Sequence, residues 1–170
     1  MLRAGKMLPS KEEEHLQNIE FRKATPEDIE LLVRTRIEVL RAANGLTGAT
    51  DMSEVEKQSY EYYEKSLADE THTAYLVFDH GQFIGTGGIS YYQVMPTYHN
   101  PTGKKGYIMN IYTRPEYRRK GIAFHTLDLL VQDARKKGIT FVSLEATETG
   151  RPLYEKYGFS GMKDEMELIP

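Results

Sequence analysis

Tyr107-Ile108-Met109-Asn110-Ile111-Tyr112-Thr113-Arg114-Pro115-Glu116-Tyr117-Arg118-Arg119-Lys120-Gly121-Ile122-Ala123 runs from a strand through a basic turn into a helix. The first turn of a helix leaves backbone N–H groups without intrahelical partners, and the helix dipole adds positive potential there. Gly121 and Ala123 carry almost no side chain, so an anion can approach that backbone closely. Arg118, Arg119 and Lys120 sit at the helix end where the dipole disfavours cations, a conflict that an anionic ligand resolves. The bland alternative is a solvated basic turn before an ordinary surface helix. Two familiar phosphate patterns are absent: there is no GxxxxGK[ST], and Gly85-Thr86-Gly87 is followed by Ser90 where the dinucleotide fingerprint needs a third glycine.

Ile19-Glu20-Phe21-Arg22 alternates as a strand, and Thr25-Pro26-Glu27-Asp28 reads as a capping box opening a helix. Ile29, Leu32, Val33, Ile37 and Leu40 fall on one face of that helix, which Asn44-Gly45 ends. Ser53 and Glu56 read as a second capping box, for a helix to Leu67 with Val55, Tyr62, Tyr63 and Leu67 inward. Thr73–Phe78 and Phe83–Tyr92 form a hairpin about Asp79-His80-Gly81-Gln82, with Gly85, Gly87 and Gly88 marking a bulge or a close backbone approach. A long loop, Gln93–Lys105, leads to the strand Gly106–Thr113. Then come a helix Ile122–Lys137 with Ala123, Leu127, Leu130, Val131 and Ala134 inward, a strand Phe141–Leu144, a short helix Arg151–Tyr157 and a last strand Met166–Ile169. The order βααβββαβαβ places the chain in the α/β class as one layered domain.

The 170 residues carry a net charge of −3, giving no basic bias toward nucleic acid. There is no cysteine, which excludes disulfides, thiolate metal sites and cysteine nucleophiles and suits a reducing cytoplasm, the location expected. No apolar run approaches the roughly 20 residues of a membrane span. Residues 1–18 are polar and charged and read as a loosely docked extension. The five histidines are scattered without metal-ligand spacing, so no metal is expected.

Arg118-Arg119-Lys120-Gly121-Ile122-Ala123 resembles the R-x-x-G-x-[GA] acetyl-CoA signature of the GNAT N-acetyltransferase superfamily. Tyr112-Thr113-Arg114-Pro115-Glu116-Tyr117 is similar to its strand-to-turn lead-in. Pro152-Leu153-Tyr154-Glu155-Lys156-Tyr157-Gly158-Phe159 resembles its second motif, LYEKxGF. The resemblance spans roughly residues 19–169 and implies one acetyl-CoA-binding N-acetyltransferase domain over 19–170. It implies a GNAT-like fold, a central, mostly antiparallel mixed sheet flanked by helices, whose fourth and fifth strands splay apart. The pantetheine arm would lie in that gap along the backbone of Ile111, Tyr112 and Thr113. The diphosphate would lie on Arg118, Arg119, Lys120, Gly121, Ile122 and Ala123. Dimers are common in the family, so a homodimer is the implied assembly.

Aminolysis of a thioester needs a neutral amine, support for a tetrahedral oxyanion, and a proton for the leaving thiolate. Tyr154 matches the family tyrosine that protonates the departing sulfur and borders the cofactor; its structural alternative is a packed aromatic. Many relatives place a glutamate base on the fourth strand, but Tyr107-Ile108-Met109-Asn110 holds none. Glu145, at the end of the fifth strand, is the candidate base, against a solvated carboxylate or a partner of Arg151. Asn110 could orient the amine or a water, against the commoner reading of a loop-facing hydrogen bond, and the N–H near Ile111 is the family's usual oxyanion donor. Among the tyrosines that could line an acceptor pocket are Tyr60, Tyr62, Tyr63, Tyr91, Tyr92 and Tyr98, though packing explains most such residues. The function expected is acetyl transfer from acetyl-CoA to a primary amine, preferably of a small molecule. The alternatives are a non-catalytic acyl-CoA-binding module and a nucleotide-binding protein. The small-molecule preference rests on the Gln93–Lys105 loop folding over the cleft, with an acidic border of Glu54, Glu56, Glu61 and Glu64.

Overall fold

The computed structural model of the protein describes residue 16 and residues 18–169. The expected extension, residues 1–18, therefore lies outside the described residues except at Leu16 and Asn18. Leu16 packs against the cluster of Val77, Ile84 and Ile122.

Alternating strands build one sheet in the order β1 (Ile19–Lys23), β2 (His72–Asp79), β3 (Gln82–Gln93), β4 (Lys104–Thr113), β5 (Val142–Leu144). The first three pairings are antiparallel and β4–β5 is parallel. Chain geometry explains the difference. β2 and β3 join through a tight turn in which His80 (φ 46°) and Gly81 (φ 78°) are both left-handed, the twist that suits a hairpin. β5 instead follows the crossover helix α3 (Ile122–Lys136), as a parallel neighbour requires.

Helix α1 (Ile29–Asn44) begins after a 3-10 turn at Pro26–Asp28. The Asp28 carboxylate accepts the Thr25 N–H at 2.9 Å and a forked pair from Arg22 at 2.7 and 2.8 Å, fixing the entry that the capping box predicts. Helix α2 (Ser53–Ala68) starts earlier than its box implies: Ser53 is already helical, and Asp51 Oδ1 accepts the Ser53 N–H at 2.9 Å. Of the positions expected to be inward on α2, Tyr63 is buried and Leu67 half-buried, while Val55 and Tyr62 are exposed.

The two helical layers divide the core. α1 and α2 cover one face, around Leu32, Val33, Tyr63, Ala74, Leu76 and Phe83. α3 covers the other, around Ile89, Ile108, Leu127, Leu130, Val131 and Ala134. A fully buried leucine stabilises by about 1.5–3 kcal/mol, so Leu127 and Leu130 anchor α3 firmly. One carboxylate interrupts this apolar face. Asp133 accepts from Lys23 Nζ (2.8 Å), Thr73 Oγ1 (2.8 Å) and the Tyr91 hydroxyl (2.7 Å). Burial alone would raise its pKa, but these donors and the Lys23 charge outweigh burial and lower it. Its contribution to stability is thus present above the unfolded carboxylate value and is lost as pH falls through the lowered one.

The expected last strand, Met166–Ile169, does not form. It has no ladder partner among the described residues, and Met166 and Leu168 are 98% and 95% exposed. The neighbouring edge is β5, only three residues long, and the charges Asp164, Glu165 and Glu167 oppose edge pairing. The element order is therefore βααβββαβα, closed by α4 (Arg151–Tyr157). Among the described residues no helix is long and apolar enough to cross a membrane.

Candidate active site

Two irregularities open the sheet at one place. β4 and β5 pair only from Gly106–Val142 to Ile108–Leu144; past that point Met109–Thr113 continues with no partner in β5. At the same position β4 bulges against β3. Thr86 pairs with Tyr112 and Gly88 with Met109, so Asn110 and Ile111 face the single residue Gly87. Asn110 takes φ +62°, a left-handed conformation that asparagine tolerates better than most residues. The glycines of β3 allow the close approach. A Cβ on Gly87 would lie 2.6 Å from Ile111 Cδ1, and one on Gly85 would lie 2.8 Å from the Tyr112 carbonyl oxygen.

The basic turn lies at the other end of this opening. A 3-10 turn, Pro115–Tyr117, carries the chain from β4 to Arg118, and Arg118 Nε donates to the Thr113 carbonyl at 3.1 Å. Arg119 (φ +62°) and Gly121 (φ +79°) are both left-handed, and Gly121 is the residue before α3. Alternating handedness of this kind turns successive N–H groups toward one concavity, a common anion cradle. No side chain caps the α3 N-terminus, and nothing lies within 4 Å of where a Gly121 Cβ would sit. Lys120 Nζ lies 5.0 Å from the Tyr117 ring centre, and that phenol donates to Asp79 at 3.0 Å. These residues fit a diphosphate: free helical N–H groups, open space above a glycine, and three cations.

The candidate catalytic groups fall on opposite faces of the opening. Val142 and Leu144 pack into the α3-side core, and so does Tyr154 from α4, edge-to-face with Phe159 at 6.2 Å. Burial raises the Tyr154 phenol pKa, and its hydroxyl has no hydrogen-bond partner among the described residues. By strand alternation Ser143 and Glu145 look to the α1–α2 side. Tyr107 joins Glu145 there: burial, then the neighbouring Glu145 carboxylate, push the Tyr107 phenol up to about 12. In register with Tyr107 stand Ser90 on β3 and His72 on β2. The Tyr62 hydroxyl, from α2, meets Ser90 Oγ at 2.6 Å and His72 Nδ1 at 2.9 Å. Burial and the charge of Arg36 push His72 down to about 4, so it is neutral at ordinary pH. Asn110 is engaged: its Oδ1 accepts from Arg36 Nη1 at 2.9 Å.

The model of the Acetyltransferase (GNAT) family matches residues 39–159. The chain belongs to the GNAT acetyltransferase family. Among solved structures, it is similar to a predicted acetyltransferase from Clostridium acetobutylicum solved with acetyl-CoA. That protein is 37% identical over 89% of this chain and 96% of its own, with a TM-score of 0.80. A GCN5-related N-acetyltransferase from Ralstonia eutropha is 26% identical, over 89% of this chain and 98% of its own, with a TM-score of 0.75. A glucosamine-6-phosphate N-acetyltransferase from Arabidopsis thaliana shares the fold at 16% identity, over 90% of this chain and 99% of its own, with a TM-score of 0.64. No curated protein matches the chain.

The GNAT sheet thus has the expected mixed pairing, with its fourth and fifth strands parting after a short parallel stretch. Other expectations about the acceptor side change. The Gln93–Lys105 loop is closed on itself: Val94 N–H donates to Gly103 O (2.9 Å), and buried Asn100 bonds Thr97, Thr102 and Lys104. Its apolar side chains Met95 and Tyr98 are 84% and 92% exposed, so they cover nothing. The reason is the self-satisfied backbone, which needs no contact with the sheet. Of the acidic positions on α2, Glu56 and Glu61 line a shallow groove against α1 that contains no residue of β4 or β5. Arg151 pairs with Glu155 at 3.9 Å rather than with Glu145. Among the candidate tyrosines, Tyr63 is core and Tyr91 serves Asp133, while Tyr60, Tyr92 and Tyr98 are exposed. Among the described residues, Tyr62 is the one of these tyrosines whose hydroxyl bonds the polar row, while the Tyr63 ring packs against His72 at 5.5 Å. Tyr107 and Arg36 have no local motif; their roles follow from strand register and from the packing of α1.

Proposed function

We propose that the protein is an acetyl-CoA-dependent N-acetyltransferase that acetylates a primary amine of a small molecule by direct aminolysis. The observation that carries this reading is the opening between β4 and β5, with Tyr154 on its α3 side and Glu145 on its α1–α2 side. Bound acetyl-CoA supplies the thioester carbonyl. The turn at Arg118, Arg119, Lys120, Gly121, Ile122 and Ala123 would hold the diphosphate, and the Ile111–Thr113 backbone the pantetheine arm. The acceptor amine enters from the α1–α2 face, where Glu145 takes its proton directly or through a water. As the new C–N bond forms, the Ile111 N–H donates to the carbonyl oxygen, where negative charge gathers. As the C–S bond breaks, Tyr154 gives its phenolic proton to the sulfur.

A small acceptor is favoured by the polar row itself. Ser90 and Tyr107 lie on the sheet face that α2 covers through Tyr62, a setting for a ligand that can be enclosed rather than for an extended peptide. The competing reading, a non-catalytic acyl-CoA sensor, rests on the absence of a carboxylate in β4. A thiol-release screen of small amines and lysine peptides with acetyl-CoA decides among these. Turnover of small amines is expected. No thiol release with any amine tested would favour the sensor, and peptide turnover above every small amine by about tenfold in kcat/KM would overturn the acceptor class.

The same assay reads Glu145. If this carboxylate takes the amine proton, Glu145→Gln should lower kcat/KM and erase the acidic limb of its pH profile. An unaltered limb would mean that the amine arrives neutral from solvent.

A further inference from the structure

The bulge in β4 is held from both sides. On the α3 side, Ile111 is seated over Gly87, beside Thr126 and Leu130 of α3. On the other side, two residues of α1 grip the strand. Arg36 Nη1 donates to Asn110 Oδ1 at 2.9 Å, and Glu38 accepts from Arg114 at 2.9 and 3.0 Å and from the Tyr112 hydroxyl at 3.3 Å. The grips lie before and after Ile111 in the chain.

They differ in chemistry. Glu38 and Arg114 form a forked ion pair, and Arg114 also stacks 5.2 Å from the Phe83 ring centre, a sufficient structural account. Arg36 forms no ion pair among the described residues. A half-buried guanidinium that bonds a neutral amide loses hydration without a carboxylate in return. Its target is the one β4 residue in the left-handed conformation. A bulge residue is unpaired in its ladder, so its backbone direction is set by whatever holds its side chain.

We infer that Arg36 is a positioning residue for acyl transfer: through Asn110 it locks the β4 bulge and so aims the Ile111 N–H at the reacting carbonyl, while its unneutralised charge favours the oxyanion. This rests on the function proposed above. It assigns α1, a helix outside both sequence motifs, a part in the chemical step. It also explains why an asparagine stands there: it tolerates the left-handed backbone and offers a side-chain acceptor to Arg36.

The test is a double-mutant cycle with Arg36→Met, Asn110→Gly and the pair. Glycine keeps the left-handed backbone accessible and removes only the grip. With an amine found in the screen, each single variant is expected to lose about tenfold or more in kcat with CoA affinity within about threefold, and the pair to lose no more than the worse single. A kcat within about threefold in Arg36→Met, or losses that multiply in the pair, would overturn the inference. Amide hydrogen exchange at Ile111 in the free protein gives a readout independent of acetyl transfer. Exchange is expected to quicken by about tenfold or more in both single variants, and unchanged exchange would overturn the inference. If the wild type releases no thiol with any amine tested, the proposed function fails, and the exchange experiment still decides whether Arg36 holds the bulge.

Discussion

Tyr154→Phe is expected to lower kcat by about 10²–10⁴-fold while leaving CoA affinity nearly unchanged. The substitution keeps the ring that packs against Phe159 and removes only the hydroxyl. That hydroxyl has no hydrogen-bond partner among the described residues, so its loss leaves no buried group orphaned and the fold should hold. Burial raises the phenol pKa, which keeps it protonated through the range where a free amine is available to attack. A departing thiolate, with an ordinary thiol pKa of about 8.5, leaves carrying negative charge, and a phenol that gives it a proton as the C–S bond breaks removes that charge from the transition state. Since only the transition state calls for that proton, the loss should fall on kcat and not on binding. Single-turnover kinetics with acetyl-CoA and the best amine from the screen would check this. A kcat within about threefold of wild type, with chemistry rate-limiting, would reduce Tyr154 to a packing residue.

How much of this was legible in the sequence depends on the range of the interactions. The basic turn, the strand before it and the helix after it are local. Charge, glycine placement and period carry them, and the structure puts each where the sequence suggests. The bulge was half legible: Gly85, Gly87 and Gly88 announce a close approach in β3, but the extra residue lies in β4 at Asn110, which carries no local sign of it. That Glu145 stands beside Tyr107 was not legible at all. It depends on the parallel register that sets Tyr107 against Ser143, and sequence periodicity is blind to register. The same holds for Arg36, whose reach to Asn110 depends on how α1 lies on the sheet. Met166–Ile169 shows the converse failure: an apolar stretch has only a capacity to pair, and no edge of useful length takes it up. The Gln93–Lys105 loop was misread for a related reason. Its length suggested a cover for the cleft, yet Asn100 satisfies its backbone from within.

Gly121→Glu is expected to weaken CoA binding by about 100-fold or more, enough to abolish it at working concentrations. Two effects add. The new side chain enters the open space where the structure has nothing within 4 Å of a Cβ, which is the space a diphosphate would need. Its carboxylate then faces the diphosphate across a few ångströms, where like charges repel. The backbone must be accounted for separately. Gly121 has φ +79°, and a side chain there costs about 1–2 kcal/mol whatever its chemistry. Gly121→Ala carries that strain without the bulk or the charge, so it sets the baseline. Fold loss is not expected in the glutamate variant, because a carboxylate at the start of α3 interacts favourably with the helix dipole and offsets part of the strain. Gly121→Asn separates the remaining two effects: asparagine accepts the left-handed backbone and fills much of the same space without charge. Repulsion should weaken as salt screens it, whereas bulk should not, so the gap between the Glu and Asn variants should narrow at high ionic strength. Calorimetry with CoA on the three folded variants provides the measurement. Affinity in Gly121→Glu equal to that in Gly121→Ala would remove the diphosphate from this turn, and with it the placement of the cofactor along β4.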